Sequence, residues 1–444
     1  MKLFSPAVWL VLTAASAVAC GSSSSDNAGP TTPNDAGPTD SAPPDAGATL
    51  SSMSVLVIAP APDFSTLPPA PNAKIAVDLP GGEHRELTVG ADGRATIEGI
   101  DWSLGVASVV AYGIAGRSVY GVMDVTPANM GKLPKPAGVG SAADVVLYPQ
   151  AFADPRLVTV SGTVASPSNA TNSTLLSGTR CGQPSEVGGA SYSIRCVPGK
   201  PFTLIARDER VTVAGSTVTV APNRWFKRDV PIPTGAVLEA DIDFATATQL
   251  VPHTGAVHVK TSAALKKAIA APNGIVFVSS KETSFTMLLG AFSSRAASAT
   301  GLDFNVEWVD VAGQTPFTVA VVFGMDGTVT QRITGGVPTA DQTFDTFVVP
   351  PLQAAASLEV KAPLVVDGDG GSSVVRIDVR SPAYVLQLDA PPGTKTLHPP
   401  ILPAEAKPAP GALSGSLLFL DDVEPESFTY STFARSKIAP AVVP

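Results

Sequence analysis

The sequence predicts an all-β chain: a series of two-sheet sandwiches behind a disordered leader. Three observations carry this. From Leu50 onward, apolar and β-branched residues come in short runs, each closed by Pro, Gly or Asp-Gly. The 444 residues include 39 Gly and 42 Pro, which is a turn-rich composition. Only 15% of residues are charged, too few to solvate many helix faces.

The chain opens on Lys2, an apolar run from Leu3 to Ala19, and the small residues Ala17-Val18-Ala19 before Cys20. A positive start, an apolar middle and a small-residue exit describe a secretory signal peptide over 1–19. The stretch is shorter and more broken than the ~20 apolar residues a membrane span needs. Ala17-Val18-Ala19-Cys20, followed by Gly21-Ser22-Ser23, resembles the bacterial lipobox, although that pattern prefers Leu where Ala17 stands. The resemblance implies that Cys20 carries acyl chains and that the mature protein is lipid-anchored at the bacterial envelope, with the outer membrane as the expected address. The residues alone also allow cleavage after Ala19 that leaves Cys20 as a free thiol.

Residues 20–49 continue as a Ser/Pro/Asp-rich tether. Residues 21–49 contain no aromatic, branched aliphatic or basic residue, so they have nothing to bury and are expected to be disordered. As a flexible coil such a segment reaches ~30 Å. Formal charge over the whole chain is −9. Setting aside Lys2 and the four Asp of the tether leaves −6 for residues 50–444. An acidic body without Lys/Arg clusters excludes the electrostatic footprint of nucleic-acid binding. The membrane is therefore expected to be reached through lipid, and other partners are expected among envelope glycans or proteins.

Four blocks follow the tether, at 50–149, 156–244, 250–350 and 355–444, with Pro-bearing junctions between them. The first reads as about seven short strands, from SVLVIA (54–59) and AKIAVDL (73–79) to 144–148. The second opens at Leu157 and carries ASYSIRC (190–196) and PFTLIAR (201–207). The third opens with Thr254-Gly255-Ala256-Val257, an echo of Ser161-Gly162-Thr163-Val164 in the second. The fourth holds a fainter echo at Ser414-Gly415-Ser416-Leu417. Residues 263–271 behind Ser262 fit one short helix or an Ala-rich loop.

YSIRCVPGKPFTLIARD (192–208) resembles the core hairpin of carboxypeptidase regulatory-like domains, which are transthyretin-like sandwiches, and ADGRATIEGIDWSLGVASVVAYG (91–113) resembles the same hairpin. The resemblance covers the first two blocks. It implies immunoglobulin-like or transthyretin-like modules that serve as spacers or binding surfaces, and no catalytic residues.

Chemistry is sparse. Cys181 and Cys196 are most simply a disulfide in an exported chain, closing a loop of about 15 residues. A metal site is the alternative, but no His lies between 85 and 252 to complete it. The nucleophile elbow, the phosphate loop, the dinucleotide glycine pattern and His-Glu-x-x-His are all missing, so no catalytic residue, metal or cofactor is expected. His253 and His258 are five apart and point to opposite faces of a strand, while His84 and His398 read as loop residues. Asp367-Gly368-Asp369-Gly370-Gly371 is either a calcium loop or a hairpin turn, and its flanking strands favour the turn. Trp225-Phe226-Lys227-Arg228 pairs aromatics with cations, so Trp225 and Arg228 are the candidate ligand contacts. Phe304, Val306 and Trp308 share one face of a strand and are expected in a core. The leading functional expectation is a non-catalytic, surface-anchored structural or binding module. The alternative is an envelope carbohydrate-active or hydrolytic enzyme with a dispersed site in the C-terminal half.

Overall fold

The computed structural model describes most of residues 50–442; residues 1–49, 262–272, 348–357, 366–373, 422–432, 443–444 and several shorter loop segments lie outside the described residues. Cys20, the tether, the 263–271 stretch and the Asp367–Gly371 turn therefore fall outside the described residues. Regular structure among the described residues consists of β-strands and three short 3₁₀ turns. The all-β expectation holds.

The first block holds β1 (Ser51–Val57), β2 (Lys74–Asp78), β3 (His84–Thr88), β4 (Arg94–Ile100), β5 (Ala107–Tyr112), β6 (Val119–Val125) and β7 (Val145–Leu147). One sheet is β4–β1–β7, and its facing partner runs β3–β2–β5–β6. The second block holds β8 (Val158–Ala165), β9 (Ser173–Gly178), β10 (Glu186–Gly188), β11 (Ser191–Cys196), β12 (Phe202–Glu209), β13 (Val211–Ala214), β14 (Thr217–Val220), β15 (Arg224–Val230), β16 (Val237–Glu239), β17 (Ile242–Asp243) and β18 (Thr248–Leu250). Its two sheets are β10–β11–β8–β16, with β17 also on β8, and β18–β15–β12–β9.

In both blocks the stretches that resemble a hairpin do something else. β11 pairs with β8 and β10, whereas β12 pairs with β9 and β15. The Val197-Pro198-Gly199 turn thus carries the chain from one sheet to the facing one. The first block repeats this: β4 pairs with β1 while β5 pairs with β2 and β6. Alternating apolar residues on each side of such an arch point toward one another across the sandwich, which gives the same sequence pattern as a hairpin.

The third block holds β19 (His253–Thr261), β20 (Asn273–Glu282), β21 (Phe285–Ala297), β22 (Gly301–Trp308), β23 (Pro316–Phe323), β24 (Thr328–Gly335) and β25 (Gln342–Phe347). The last holds β26 (Leu358–Glu359), β27 (Leu364–Val365), β28 (Val374–Ser381), β29 (Tyr384–Ala390), β30 (Thr396–Leu397), β31 (Ser414–Asp421) and β32 (Phe433–Val442). Trp308 is buried with Phe304 and Val306, as its alternation predicts.

The blocks are not beads. β32 pairs with β31 of its own block and with β24 of the third. β29 pairs in parallel with β6 of the first block, Leu386 opposite Val119. The chain therefore closes its last block onto its first, inside an 18-stranded ladder.

Side-chain parity explains how the blocks fuse. On β2, Ile75 and Val77 face the first block's own core, while Ala76 faces a second core shared with Ile377, Leu386 and Leu388. On β12, Leu204 and Ala206 face the second block's core, while Ile205 enters the third block's core together with Trp225 of β15. A sheet covered on both faces reads as a continuous apolar run instead of an alternating one. ASVVAY (β5) and VYGVMDV (β6) are such runs, and every residue in them is buried.

The seam between the first and last blocks holds matched polar groups. Arg376 and Asp389, cross-strand partners on β28 and β29, form a buried bidentate pair at 2.6 and 2.8 Å. Tyr120 of β6 donates its hydroxyl to Asp389 at 2.8 Å, tying the first block to the last. Asp124 has φ +58° at an irregularity in the β5–β6 pairing and accepts from the backbone N–H of His398 at 3.0 Å. Its other oxygen lies 2.5 Å from His398 Nδ1. Asp78 likewise accepts from the N–H of Ile401 and bonds His84 Nδ1, both at 2.6 Å. His84 opens strand β3, and His398 holds a strap across the first block, so both do more than the loop positions their sequence suggested.

Candidate functional site

One sheet face in the third block keeps a clean inward–outward alternation. On β22, Leu302, Phe304, Val306 and Trp308 are buried, whereas Asp303 and Asn305 are exposed. On β19, Val257 and Val259 point inward and Ala256, His258 and Lys260 outward. The antiparallel register sets His258 opposite Asp303 and Ala256 opposite Asn305. On the other side of β22, β21 places Ser294 opposite Asn305 and Ala296 opposite Asp303. β14 then reaches in from the second block and pairs Thr219 with Ser294.

These strands enclose a recess of about 340 Å³ lined by Thr217, Ala256, His258, Ser294, Asp303 and Asn305, among others. That volume lies at the small end of ligand-sized sites. A register irregularity between Phe292 and Ser294 borders it, the kind of bulge that re-aims side chains beside binding sites.

Hydrogen bonds fix the side chains around the recess. Asp303 Oδ1 lies 2.5 Å from His258 Nδ1, and Thr300 Oγ1 lies 3.0 Å from His258 Nε2. Asn305 Nδ2 donates to Ser294 Oγ at 2.7 Å. Arg295 Nη1 donates to the carbonyl of Gly274 at 2.8 Å, and burial holds its guanidinium below the usual arginine range. Thr300 sits on the turn between β21 and β22, closed by Ser298 N–H donating to Gly301 O at 2.9 Å. A Cβ on Gly301 would come within 1.9 Å of the Val259 carbonyl oxygen, so the strand that follows Thr300 can start there only with glycine.

The sequence did not single out this cluster. His258 was readable as an outward strand residue, but its partners stand 42 and 45 positions away and meet it only through the β19–β22 register. The polar alternation Ala256-His258-Lys260 against Asp303-Asn305-Glu307 was the available trace of an exposed face.

Trp225 and Arg228, the ligand contacts expected from sequence, do not form an exposed platform. Trp225 is 1% exposed in the seam between the second and third blocks, with the Arg207 guanidinium 5.3 Å from its ring. Phe226 points the other way, into the second block's core, and stacks on Phe244 at 4.2 Å. Both rings of the pair are consumed by cores on opposite faces of one sheet. Arg228 is half-buried close to Tyr192 and Asp241. Cys181 and Cys196 form the expected disulfide, closing a separation of 15 residues. No group of three or more His, Cys, Asp and Glu suited to a metal occurs among the described residues.

No protein-family model matches the chain, and no curated protein matches it. Solved structures do. The TIE protein of Bacillus anthracis is 11% identical with a TM-score of 0.17, over 67% of this chain and 50% of that one. The pilus adhesin SpaC from Lactobacillus rhamnosus GG in its open conformation is 10% identical with a TM-score of 0.19, over 80% and 44%. Two B repeat units of the collagen-binding protein of Staphylococcus aureus are 7% identical with a TM-score of 0.15, over 88% and 99%. The chain thus spans about half the length of the first two.

Proposed function

We propose that this chain is a non-catalytic binding module of the bacterial envelope, lipid-anchored through Cys20 and working through the outer face of β19, β22 and β21. The supporting observation is convergence: His258, Asp303, Asn305 and Ser294 meet around one recess on an exposed sheet face. The sheets that fuse the blocks are covered on both sides. In this reading the tether holds a stiff body off the membrane, and the third block presents the recess to an envelope glycan or protein. Co-sedimentation of the full-length Cys20→Ala chain, which lacks the lipid, with isolated envelope fractions tests it. Ala296→Leu, which fills the recess without changing charge, should abolish co-sedimentation. Retention equal to that of Cys20→Ala alone would refute the assignment of the face.

A second reading is favoured by one observation. Thr300, His258 and Asp303 form a hydroxyl–imidazole–carboxylate chain, the order in which a base activates a nucleophile and a third group orients the base. An envelope hydrolase built on it would hydrolyse p-nitrophenyl esters and lose that activity in Thr300→Ala. Hydrolysis no faster than buffer supports the binding reading.

A further inference from the structure

We propose that the recess between β19, β22, β21 and β14 takes a cationic, donor-rich head group on an alkyl stem, namely a lysine or arginine side chain of a partner protein. This rests on the binding reading above and adds the chemistry of the ligand.

The nitrogen donors at the recess are largely engaged within the protein. His258 has one ring nitrogen against Asp303 and the other against Thr300, so neither faces a ligand. Asn305 spends an amide hydrogen on Ser294, and Arg295 donates to Gly274. The acceptors are not used up. The carboxylate of Asp303 has two oxygens, each with two lone-pair sites, and only Oδ1 is engaged among the described residues. Asn305 Oδ1 has no donor among the described residues. Open carboxylate and amide oxygens side by side suit a group that brings several N–H donors of its own.

Charge points the same way. Asp303 is 56% exposed at its side chain and is held at the recess by His258. The body carries a formal −6 between residues 50 and 444, which repels anions and draws cations toward the face. The methyl groups of Ala256 and Ala296 line the same stretch and suit the methylenes of a lysine or arginine stem, which pack on apolar surface while the head stays polar. Of the nearby cations, Lys260 does not line the recess, while Arg295 does, with its guanidinium turned to the Gly274 carbonyl and its strand position opposite the buried Phe304.

The test uses the full chain in detergent and three probes followed by NMR titration: Nα-acetyl-lysine methylamide, Nα-acetyl-arginine methylamide, and the Nε-acetylated lysine derivative. The first two should bind and the third should not, because acetylation removes the charge and two donors. Asp303→Asn should weaken binding by about tenfold or more, the cost of losing a charge-assisted bond. It should leave the fold intact, since Asn still accepts from His258. Ala296→Leu should weaken binding similarly. Asp310→Asn is the control: it removes the same charge from an exposed carboxylate on His253, outside the recess, and should change little. Equal loss in Asp303→Asn and Asp310→Asn would reduce the effect to non-specific attraction and overturn the proposal. Equal binding of the Nε-acetylated probe, or no binding by either cation, would also overturn it. If the cations fail while Ala296→Leu still abolishes envelope co-sedimentation, the face binds other chemistry and the binding reading stands. If both fail, both fall.

Discussion

The buried Arg376–Asp389–Tyr120 network is where the fused architecture can be broken most selectively. Asp389 is 0% exposed and Arg376 4% exposed at the side chain. The pair is bidentate, and the Tyr120 hydroxyl completes the carboxylate from the neighbouring block. Asp389→Ala takes the bidentate carboxylate away from a buried guanidinium, which costs about 3–5 kcal/mol. Tyr120→Phe removes one bond to a charged acceptor, about 1.5–3 kcal/mol. Arg376→Met combined with Asp389→Leu removes both charges and keeps the volume, so it should be close to neutral or stabilising. Urea unfolding followed by near-ultraviolet circular dichroism reads all three, and hydrogen exchange at β6 and β29 shows whether the loss lies at the seam. A cost below about 1 kcal/mol for Asp389→Ala would refute the reasoning, because breaking a buried bidentate ion pair cannot be that cheap. A double variant as unstable as the single would refute it as well, since packing and not charge would then hold the blocks together.

Other outcomes follow from single features. Intact-mass analysis of the mature protein should find Cys181 and Cys196 without free thiol, and reduction should cost about 3 kcal/mol for a loop of 15 residues. Cys20→Ala should release the protein from the membrane fraction, and unchanged partitioning would remove the lipid anchor from the proposal. Burial pushes the Tyr192 hydroxyl up to about 12, and burial also raises Tyr112, Tyr120 and Tyr384. A folded pKa above the unfolded value of about 10 gives stability that is full below pH ~10 and is lost as pH rises through the folded value. For Tyr192 that window is roughly pH 10 to 12. Tyrosinate absorbance in native protein should therefore rise at higher pH than in urea, and coincident curves would contradict the burial.

Strand content and turn chemistry were legible because they are local. SVLVIA ending at Pro60 and ADGRATIEGI entering from Asp92-Gly93 need no distant partner to be read. Pairing is not local. YSIRC and PFTLIARD look alike whether they return in one sheet or cross to the facing one, and only β8, β9 and β15 decide between the two. The Trp225-Phe226 pair failed for a related reason. Adjacent residues on a strand face opposite ways, so one was expected outside. A sheet with a core on each face leaves no outside, and both rings are buried.

That same contrast locates the working surface. β5 and β6 are buried along their whole length, and Ile205 and Trp225 carry the second block's sheet into the third block's core. Sheets with cores on both faces can transmit force and hold geometry, but their faces cannot meet a ligand without unfolding a seam. β22 keeps one face in and one face out, as β11 and β14 do, and puts Asp303 and Asn305 on the open side. Antiparallel sheets with one solvated face show this alternation as a rule. Here it follows two blocks whose β5, β6 and β12 serve two cores at once. Polar residues on that face do no work in a seam, yet His258 is pinned from both ring nitrogens and Asn305 is fixed on Ser294. Side chains ordered this way on an exposed sheet have already given up rotamer freedom that a partner would otherwise have to remove, which is what preorganisation for binding requires.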